Sequence, residues 1–234
     1  MYFFNQQKLV FYTNLEIMEI DLLKNYPRPK RNLDKRLSDK SPEVVKVARE
    51  FGEQFFDGDR KFGYGGFGYN AKYWENVVKD FVEYYNLPSN AKILDVGCAK
   101  GYMLYDLKKQ VPQRQICGID ISKYAIENSH PEVKNYLQVG NAKKLEFEDN
   151  YFDLVISINT IHNLELEDCI TSIKEISRVS KVNSFLTVDA FKSDEEKERM
   201  FKWNLTAKTI MSVSDWKETF KKIGYDGDFY WFIP

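Results

Sequence analysis

The sequence contains little that would support a metal centre, a disulfide framework or a membrane anchor. Its 234 residues include two histidines, which are too few for a histidine-built metal site. The three cysteines form no C-x-x-C pair, and their odd number favours a reducing compartment. No apolar run is long enough to span a bilayer. We therefore expect a cytoplasmic protein that uses neither a metal nor a membrane.

A strong charge of either sign is also missing. Lysine and arginine total 34 and the acidic residues total 35, so the net charge is −1 at pH 7. Without a global basic field, the composition argues against a nucleic-acid partner. Hydrophobic residues at 43% and charged residues at 29% are typical of an ordinary globular protein. The length suits one domain with a small appendage.

The first 90 residues divide into an arm and a helical region. Residues 1–40 are expected to form an extended arm, and the segment 28–36 within it is rich in arginine and lysine. At Ser41 and Pro42 a helix should begin, because serine caps helices and proline suits their first turn. Its helical spacing of apolar residues continues to Phe55. A second amphipathic helix is predicted over residues 72–86, so that residues 41–90 form a helical cap.

From residue 91 onward, short apolar runs alternate with helical segments. Strands are predicted at 91–97, 115–120, 135–140, 152–158, 184–191 and 228–233. Helices are predicted at 100–110, 122–129, 166–180, 194–211 and 213–225. This alternation favours an α/β fold in which residues 91–234 form a Rossmann-like, doubly wound, mostly parallel sheet with helices on both faces. The helical cap would then precede this core.

Ligands of such sheets bind beyond the carboxyl ends of the strands. The first strand ends at Asp95 and enters "VGCAKG", where Gly97 and Gly101 allow a tight turn that a ligand can approach closely. The second strand ends at Asp120, which is placed to accept hydrogen bonds from two ribose hydroxyls. Asn141 follows the third strand and can read the edge of a base. The ends of the strands therefore predict a nucleoside-binding site.

Four segments in order, "ILDVGCAKG", "GIDIS", "VGNAKKLEFEDNYFDLVISINTIHNL" and "FLTVDAF", resemble class I S-adenosylmethionine-dependent methyltransferases of the small-molecule branch. The resemblance covers about residues 91–191. It implies S-adenosylmethionine as the cofactor and S-adenosylhomocysteine as its product. The cofactor contacts that it implies, in chain order, are Asp95, Gly97, Ala99, Gly101, Asp120, Ile121, Asn141, Ala142, Ile158 and Asn159.

In this family the methionine part of the cofactor is wrapped by the positions of Asp95, Gly97, Ala99 and Gly101, and the ribose is held by that of Asp120. The adenine is surrounded by the positions of Ile121, Asn141 and Ala142. The backbone at Ile158 and Asn159 faces the amino group of the cofactor. The sequence departs from the family pattern in three ways. Ala99 replaces a common glycine, Asn141 replaces a common aspartate, and a single clear strand follows the fifth where the family usually has two. An amide carbonyl still accepts a hydrogen bond from the adenine amine.

The stretch "FGYGGFGYN" spells G-x-G-x-x-G at residues 63–68, which can mark a nucleotide loop. No strand precedes it, so we reject both a phosphate loop and a dehydrogenase fingerprint. Two interpretations stay open. The stretch is either a mobile lid, in which Tyr64 contacts the cofactor and Tyr69 the substrate, or a set of aromatic residues that anchor a loop to the core.

Other polar residues are candidates for the substrate side. His162 is either a general base or part of the pocket wall, and Asn163 is a weaker candidate on the same loop. Asp189 either orients the substrate or caps the next helix. Lys72 is a candidate partner of the cofactor carboxylate and Arg60 of the substrate. The basic segment 28–36 is either a solvated arm or a cover that neutralises a phosphorylated or nucleotide-linked substrate.

These observations predict an enzyme, a monomer or homodimer, that methylates an oxygen or nitrogen of a small polar substrate. A sugar, including a nucleotide-linked intermediate of surface carbohydrate, is the preferred acceptor. Two alternatives remain: a partner subunit that binds the cofactor without catalysis, and an RNA or protein methyltransferase. The sequence lacks a proline-cysteine nucleophile, and "NTIH" differs from the Asn-Pro-Pro-aromatic motif. Both absences count against nucleic-acid substrates.

Overall fold

The centre of the molecule is a sheet of seven parallel strands. A computed structural model describes residues 18–28 and 32–234. The strands are β1 Lys92–Val96, β2 Gln115–Asp120, β3 Leu137–Val139, β4 Phe152–Ile158, β5 Ser180–Phe191, β6 Met211–Ser212 and β7 Asp228–Phe232. Their order is β3-β2-β1-β4-β5, and both β6 and β7 pair with β5. The order reverses between β1 and β4, so the predicted doubly wound sheet is confirmed.

Helices cover both faces of this sheet and build the N-terminal cap. They are α1 Leu33–Asp39, α2 Pro42–Ala48, α3 Glu53–Phe56, α4 Ala71–Tyr84, α5 Tyr102–Gln110, α6 Lys123–Glu127, α7 Leu166–Val179, α8 Asp194–Trp203 and α9 Val213–Ile223. One buried apolar cluster lies between the sheet and α7 and α9, and a second lies between the sheet and α4 and α5. Because apolar residues on both faces are buried, the strands are nearly continuous hydrophobic runs.

Serine residues cap the starts of several helices in the structure. The Ser41 side chain accepts a hydrogen bond from the Val44 backbone N–H, and Pro42 occupies the first turn of α2. Ser122 caps α6 in the same way. The acidic residue that we considered as a cap, Asp189, does not have this role, because Ser193 caps α8.

Three predicted elements were wrong in extent. The helix expected over 41–55 breaks into α2 and α3, because Phe51 takes a positive φ of 49°. The helix expected over 194–211 ends at Trp203. Residues 33–39, expected to be extended, are helical with Asn32 as the N-cap. Tertiary contacts decide each of these boundaries, which the apolar spacing alone does not encode.

The edge of the sheet beyond β5 also differs from the expectation of one strand. Two strands follow β5, although β6 consists of two residues. The chain before the cap continues this edge: Glu19 bridges Phe229 of β7 in parallel, with backbone hydrogen bonds of 3.0 Å on both sides. Segment 18–20 therefore covers the outer edge of β7, which would otherwise leave unpaired backbone groups.

The described part of the basic segment is not simply solvated. Arg28 forms an ion pair of 2.5 Å with Asp21 and lies at the rim of the central cavity. Lys30 and Arg31, two further basic residues of this segment, lie outside the described residues. Within 18–28 and 32–234, no helix is both long enough and apolar enough to cross a membrane.

Candidate active site

A cavity of about 740 Å³ opens at the carboxyl ends of the strands, beneath the cap. Its floor is built by the ends of β1, β2 and β4 and by the loops that follow them. Its roof comes from α1, residues 49–51 after α2, α3, the glycine-aromatic stretch and residues in the segment 203–208. The volume is in the range of small-molecule and cofactor sites, and the position is the one expected for a doubly wound sheet.

The loop between β1 and α5 is shaped for close approach. Gly97, Ala99 and Gly101 all take left-handed conformations, with φ of 88°, 50° and 74°. A Cβ atom on Gly97 would lie 2.1 Å from the Thr160 hydroxyl oxygen, so this position has no room for a side chain. Ala99, which replaces a common glycine of the family, takes the left-handed conformation although it carries a methyl group. The loop therefore exposes backbone rather than side chains to the cavity.

Asp120 at the end of β2 holds this loop in place. One carboxylate oxygen accepts the Ala99 backbone N–H at 2.8 Å, and the other accepts the Ser122 backbone N–H at the same distance. Burial raises the pKa of Asp120, and these two hydrogen bonds oppose the rise. Each oxygen keeps acceptor capacity for a ligand hydroxyl, because a carboxylate oxygen accepts more than one hydrogen bond.

Asp95 gives the clearest test of whether a cationic ligand fits. Its side chain lines the cavity and is 5% exposed, yet no described residue donates a hydrogen bond to it. Burial, followed by the negative charge of Asp120, raises the pKa of Asp95 to about 8. A buried carboxylate in this state is stabilised by a positive charge placed in the cavity. The sulfonium and ammonium groups of S-adenosylmethionine supply such charge, so the residues present fit this cofactor.

Among the other contacts that the family resemblance implied, Gly101 does not line the cavity and five residues do. They are Ile121, Asn141, Ala142, Ile158 and Asn159. Ile121 and Asn141 are both exposed, and 59% of Ile121 is open to solvent. Asn159 takes a positive φ of 52°, and its side-chain oxygen accepts the Thr187 hydroxyl at 3.0 Å. Asp95, Asp120 and these residues are thus brought together as the sequence predicted, while their contacts to the cofactor stay predictions.

His162 is packed differently from an accessible general base. It is 3% exposed, its Nδ1 accepts the Asp189 backbone N–H at 3.1 Å, and its Nε2 lies 3.5 Å from an Asp189 carboxylate oxygen. Burial lowers the pKa of His162 to about 3. Its carbonyl oxygen accepts the backbone N–H groups of Lys208 and Thr209. This arrangement favours the second interpretation, in which His162 forms part of the pocket wall and fixes the loop after α8.

The substrate-side candidates separate into two groups. Asp189, Asn163, Arg60 and Tyr64 line the cavity, and Asp189 also accepts a hydrogen bond from the Asn204 side chain. Lys72 does not line it, and the prediction of its position was wrong. The Lys72 side chain is exposed at the start of α4, with its nitrogen 5.0 Å from the Tyr73 ring centroid.

Tyr69 is also outside the cavity, which contradicts its predicted position beside the substrate. Its hydroxyl donates to Asp106 at 2.7 Å, and its ring contacts Tyr102, Tyr105 and His130 edge-on. Tyr69 is therefore one of the anchors that the alternative interpretation of the glycine-aromatic stretch required. Spacing in the sequence could not distinguish Tyr69 from Tyr64, since both follow glycine in the same stretch.

A second anchor fixes the front of this stretch to the core. The buried Lys100 ammonium forms an ion pair of 2.6 Å with Asp57 and donates to the Phe67 carbonyl at 3.1 Å. The Tyr124 hydroxyl donates to the same Asp57 carboxylate at 2.7 Å. Tyr64 lies between these anchors, with its ring centroid 4.3 Å from that of Phe67. The stretch therefore closes the cavity while both of its ends are tied down.

Sequence reasoning missed three residues of the roof, two of them basic. Arg36, Arg49 and Trp203 line the cavity, although the sequence places them far from the motifs of the sheet. Arg36 belonged to a basic segment that we treated as one unit, and nothing in that pattern singled it out. The signal that identifies it is tertiary: Arg36 is 8% exposed, unlike most residues of α1.

The pKa of Asp95 predicts how stability depends on pH. Above pH 4 the unfolded chain loses the Asp95 proton, whereas the folded protein keeps it until about pH 8, so the free energy of unfolding falls as pH rises. His162 has the opposite effect, but only below its ordinary pKa of 6.5. Between pH 6.5 and 8, Asp95→Asn should therefore remove a decline of up to about 1.4 kcal/mol per pH unit.

Urea unfolding at several pH values measures this decline. Glu127→Gln serves as the control, because Glu127 is an exposed carboxylate whose side chain is 59% open. The same pH dependence in wild type and Asp95→Asn would contradict the assignment.

Comparisons with known proteins agree with this geometry. Residues 87–227 match the family model described as a methyltransferase domain. A demethylmenaquinone methyltransferase of Symbiobacterium thermophilum is 30% identical over 156 residues, which are 63% of this chain and 61% of that protein. A malonyl-[acyl-carrier protein] O-methyltransferase of Legionella pneumophila is 29% identical over 117 residues, or 48% and 40% of the two chains. The chain thus spans less than two thirds of the length of these relatives.

Solved structures give the same fold. The YcgJ protein of Bacillus subtilis aligns with a TM-score of 0.52 and 20% identity, covering 61% of this chain and 65% of that one. The [4+2]-cyclase SpnF aligns with a TM-score of 0.51 and 19% identity, covering 64% and 56%. At this identity the similarity establishes the fold alone. The family match is the stronger finding: this chain belongs to the class I S-adenosylmethionine-dependent methyltransferases.

Proposed function

We propose that this protein transfers a methyl group from S-adenosylmethionine to an oxygen or nitrogen of a small polar acceptor. The observation that carries the proposal is the uncompensated, buried carboxylate of Asp95 beside the open turn at Gly97. A cationic ligand is stabilised there, and the turn leaves room for it. The bound cofactor supplies an activated methyl group, and the chain supplies the alignment of the groups that react.

The residues divide this work between the floor and the roof of the cavity. We propose that Asp120 holds the ribose hydroxyls, and that Asn141, Ala142 and Ile121 surround the adenine, as the resemblance implied. Residues 41–90 would form the cap, and residues 91–234 the core that binds the cofactor, after an arm at 1–40. In this cap Tyr64 excludes water from the reacting groups.

The identity of the acceptor is not fixed by the family. Relatives of this chain are named for demethylmenaquinone, for malonyl-[acyl-carrier protein] and for a carboxymethyluridine of tRNA. A sugar or nucleotide-linked intermediate remains our preferred acceptor, because a cavity of about 740 Å³ under a closed roof suits a small molecule. A macromolecular acceptor would have to insert a single group beneath the cap.

Methyl transfer from radiolabelled S-adenosylmethionine tests the proposal directly. The acceptors would be a panel of sugars, nucleotide-linked sugars, small amines and carboxylates, and bulk tRNA. Transfer to a small acceptor supports the proposal. Binding of the cofactor by calorimetry, without transfer to any acceptor in the panel, would favour the non-catalytic partner subunit instead.

The general-base role of His162 and its observed packing predict different values of kcat for a His162 variant. With both ring nitrogens facing Asp189 and a pKa of about 3, His162 is neutral at pH 6–8 and is a weak proton acceptor. We therefore expect His162→Asn to keep kcat within about tenfold of wild type. General-base catalysis typically contributes at least 100-fold, so a loss of that size would restore the base role.

The control for this variant is His130→Asn, since the His130 ring stacks on Tyr105 and does not line the cavity. Thermal unfolding would establish that each variant is folded before kcat is compared. A pH profile of kcat for His162→Asn that matches wild type, apart from its amplitude, would confirm the wall role.

A further inference from the structure

We propose that the cap contains an oxyanion site, formed by Arg36, Arg49 and Arg60, which binds a carboxylate or phosphate group of the methyl acceptor. The inference rests on the proposed function, because it assigns a chemical class to the acceptor of that same cavity. All three guanidinium groups belong to residues that line the cavity. They come from α1, from the residue after α2, and from the turn between α3 and the glycine-aromatic stretch.

None of these arginines forms an ion pair with a described residue. Asp39, whose negative charge acts on Arg36 from beyond ion-pair distance, is paired with Lys35 at 3.3 Å. The acceptors of the three arginines are neutral carbonyl oxygens: Arg36 Nη1 donates to the carbonyls of residues 60 and 61 at 3.2 and 3.1 Å, and Arg49 Nη2 donates to that of Ala207 at 3.2 Å. Arg60 Nη1 donates to the Gly63 carbonyl. Among residues 18–28 and 32–234, no carboxylate oxygen lies within 4.0 Å of any of the three guanidinium groups.

Arg28 provides an internal comparison. It lines the same cavity, but its guanidinium is paired with Asp21 at 2.5 Å. Glu50, the acidic residue beside Arg49, also lines the cavity without forming an ion pair among the described residues. Lys208, another cation of the roof, is paired with Glu165 at 3.3 Å. The roof thus has three arginines outside any ion pair and one acidic side chain, whereas the floor has Asp95 and Asp120.

Burial makes the missing counter-charge costly for Arg36. Its side chain is 8% exposed, and burial followed by the positive charge of Arg60 lowers the pKa of Arg36 to about 10. The pKa of Lys40 is lowered by burial and by the charges of Arg49 and Arg36. Burial is the larger cause of both shifts, and the neighbouring positive charges add to it. An anion in the cavity would offset the repulsion between these charges.

Two of the guanidinium groups, those of Arg36 and Arg60, also lie against one aromatic ring. The ring of Trp203 lies 4.9 Å from Arg36 Cζ and 5.7 Å from Arg60 Cζ, so one aromatic side chain supports both arginines. Planar guanidinium groups held in this way match the geometry of carboxylate and phosphate oxygens. Attraction by the arginines would direct the anionic end of an acceptor to the cap, and its methyl-accepting atom to the ends of the strands.

Anion binding can be measured without the cofactor. The probes are inorganic phosphate and acetate, titrated at constant ionic strength with sodium chloride while thermal unfolding and heat of binding are recorded. We expect saturable binding of at least one probe by wild type, and a loss of about tenfold in affinity in Arg49→Gln and in Arg60→Gln. Tighter binding of phosphate would assign a phosphoryl group to the acceptor, and tighter binding of acetate a carboxylate.

Lys46→Gln is the matched control, because Lys46 is an exposed residue of α2 that does not line the cavity. It removes the same charge and should bind the probes as wild type does. Arg49 and Arg60 are exposed, so their variants should fold; Arg36→Lys tests the buried position while keeping the charge. Binding of neither probe by wild type, or equal loss in Lys46→Gln, would overturn the site.

A measurement of cofactor affinity separates this inference from the proposed function. Arg49→Gln and Arg60→Gln should bind S-adenosylmethionine within about twofold of wild type. A tenfold loss would assign the arginines to the cofactor carboxylate and would overturn the acceptor site. Failure of methyl transfer with every acceptor, together with arginine-dependent phosphate or acetate binding, would instead reject the proposed function while the oxyanion site stands.

Discussion

Asp120→Ala is expected to weaken S-adenosylmethionine binding by about 5- to 150-fold, which corresponds to about 1–3 kcal/mol. Two losses contribute. The carboxylate would no longer accept the ribose hydroxyls, and it would release the Ala99 and Ser122 backbone N–H groups that it holds at 2.8 Å. The second loss loosens the turn that approaches the cofactor. Isothermal calorimetry with S-adenosylmethionine and with S-adenosylhomocysteine would measure both affinities.

The control for Asp120→Ala is Glu127→Ala, which removes an exposed carboxylate at the end of α6, the helix that follows β2. It should leave the dissociation constant unchanged. Asp120→Asn separates the two losses, because an amide oxygen can still accept one backbone N–H. An affinity of Asp120→Ala equal to that of wild type would refute the ribose assignment.

Gly97→Ala is expected to abolish measurable cofactor binding and to lower the free energy of unfolding by at least about 1–3 kcal/mol. A Cβ atom there would meet Thr160 side-chain atoms at 2.1, 2.3 and 2.6 Å, and the φ of 88° is unfavourable for any residue with a side chain. Either the turn or the start of the loop after β4 must move, and both line the cavity. Urea unfolding and calorimetry would measure the two effects.

Gly68→Ala is the matched control for this change. Its added Cβ would have no atom within 4 Å, and Gly68 has no positive φ. It should retain the stability and the cofactor affinity of wild type to within about 0.5 kcal/mol. A Gly97→Ala protein that behaves like Gly68→Ala would show that the turn can rearrange without consequence.

The floor of the site could be predicted because its information is local. A strand that ends in an acid and enters a glycine turn has few alternatives, and the parallel sheet brings the ends of β1, β2 and β4 to one edge. Asp95, Gly97 and Asp120 were therefore found from spacing and alternation. The same reasoning placed Ser41 and Ser122 at helix starts, where a side chain caps its own segment.

The roof could not be predicted in this way, because its residues meet only after folding. Lys72 and Tyr69 were assigned to the site from their nearness in sequence to the glycine stretch, yet one faces outward and the other contacts Asp106. Arg36 and Arg49 carried no local signal, since basic residues on short helices are most often exposed.

What the sequence by itself determined is the order of strands and helices, the turn after β1 and the acids at the strand ends. These features depend on periodicity and on backbone conformations that particular residues permit or forbid. Only the tertiary structure decided that His162 is buried against Asp189, and that three arginines share one cavity. The protonation of His162 and the charge balance of the roof depend on burial and on distant neighbours, which no short stretch of sequence encodes.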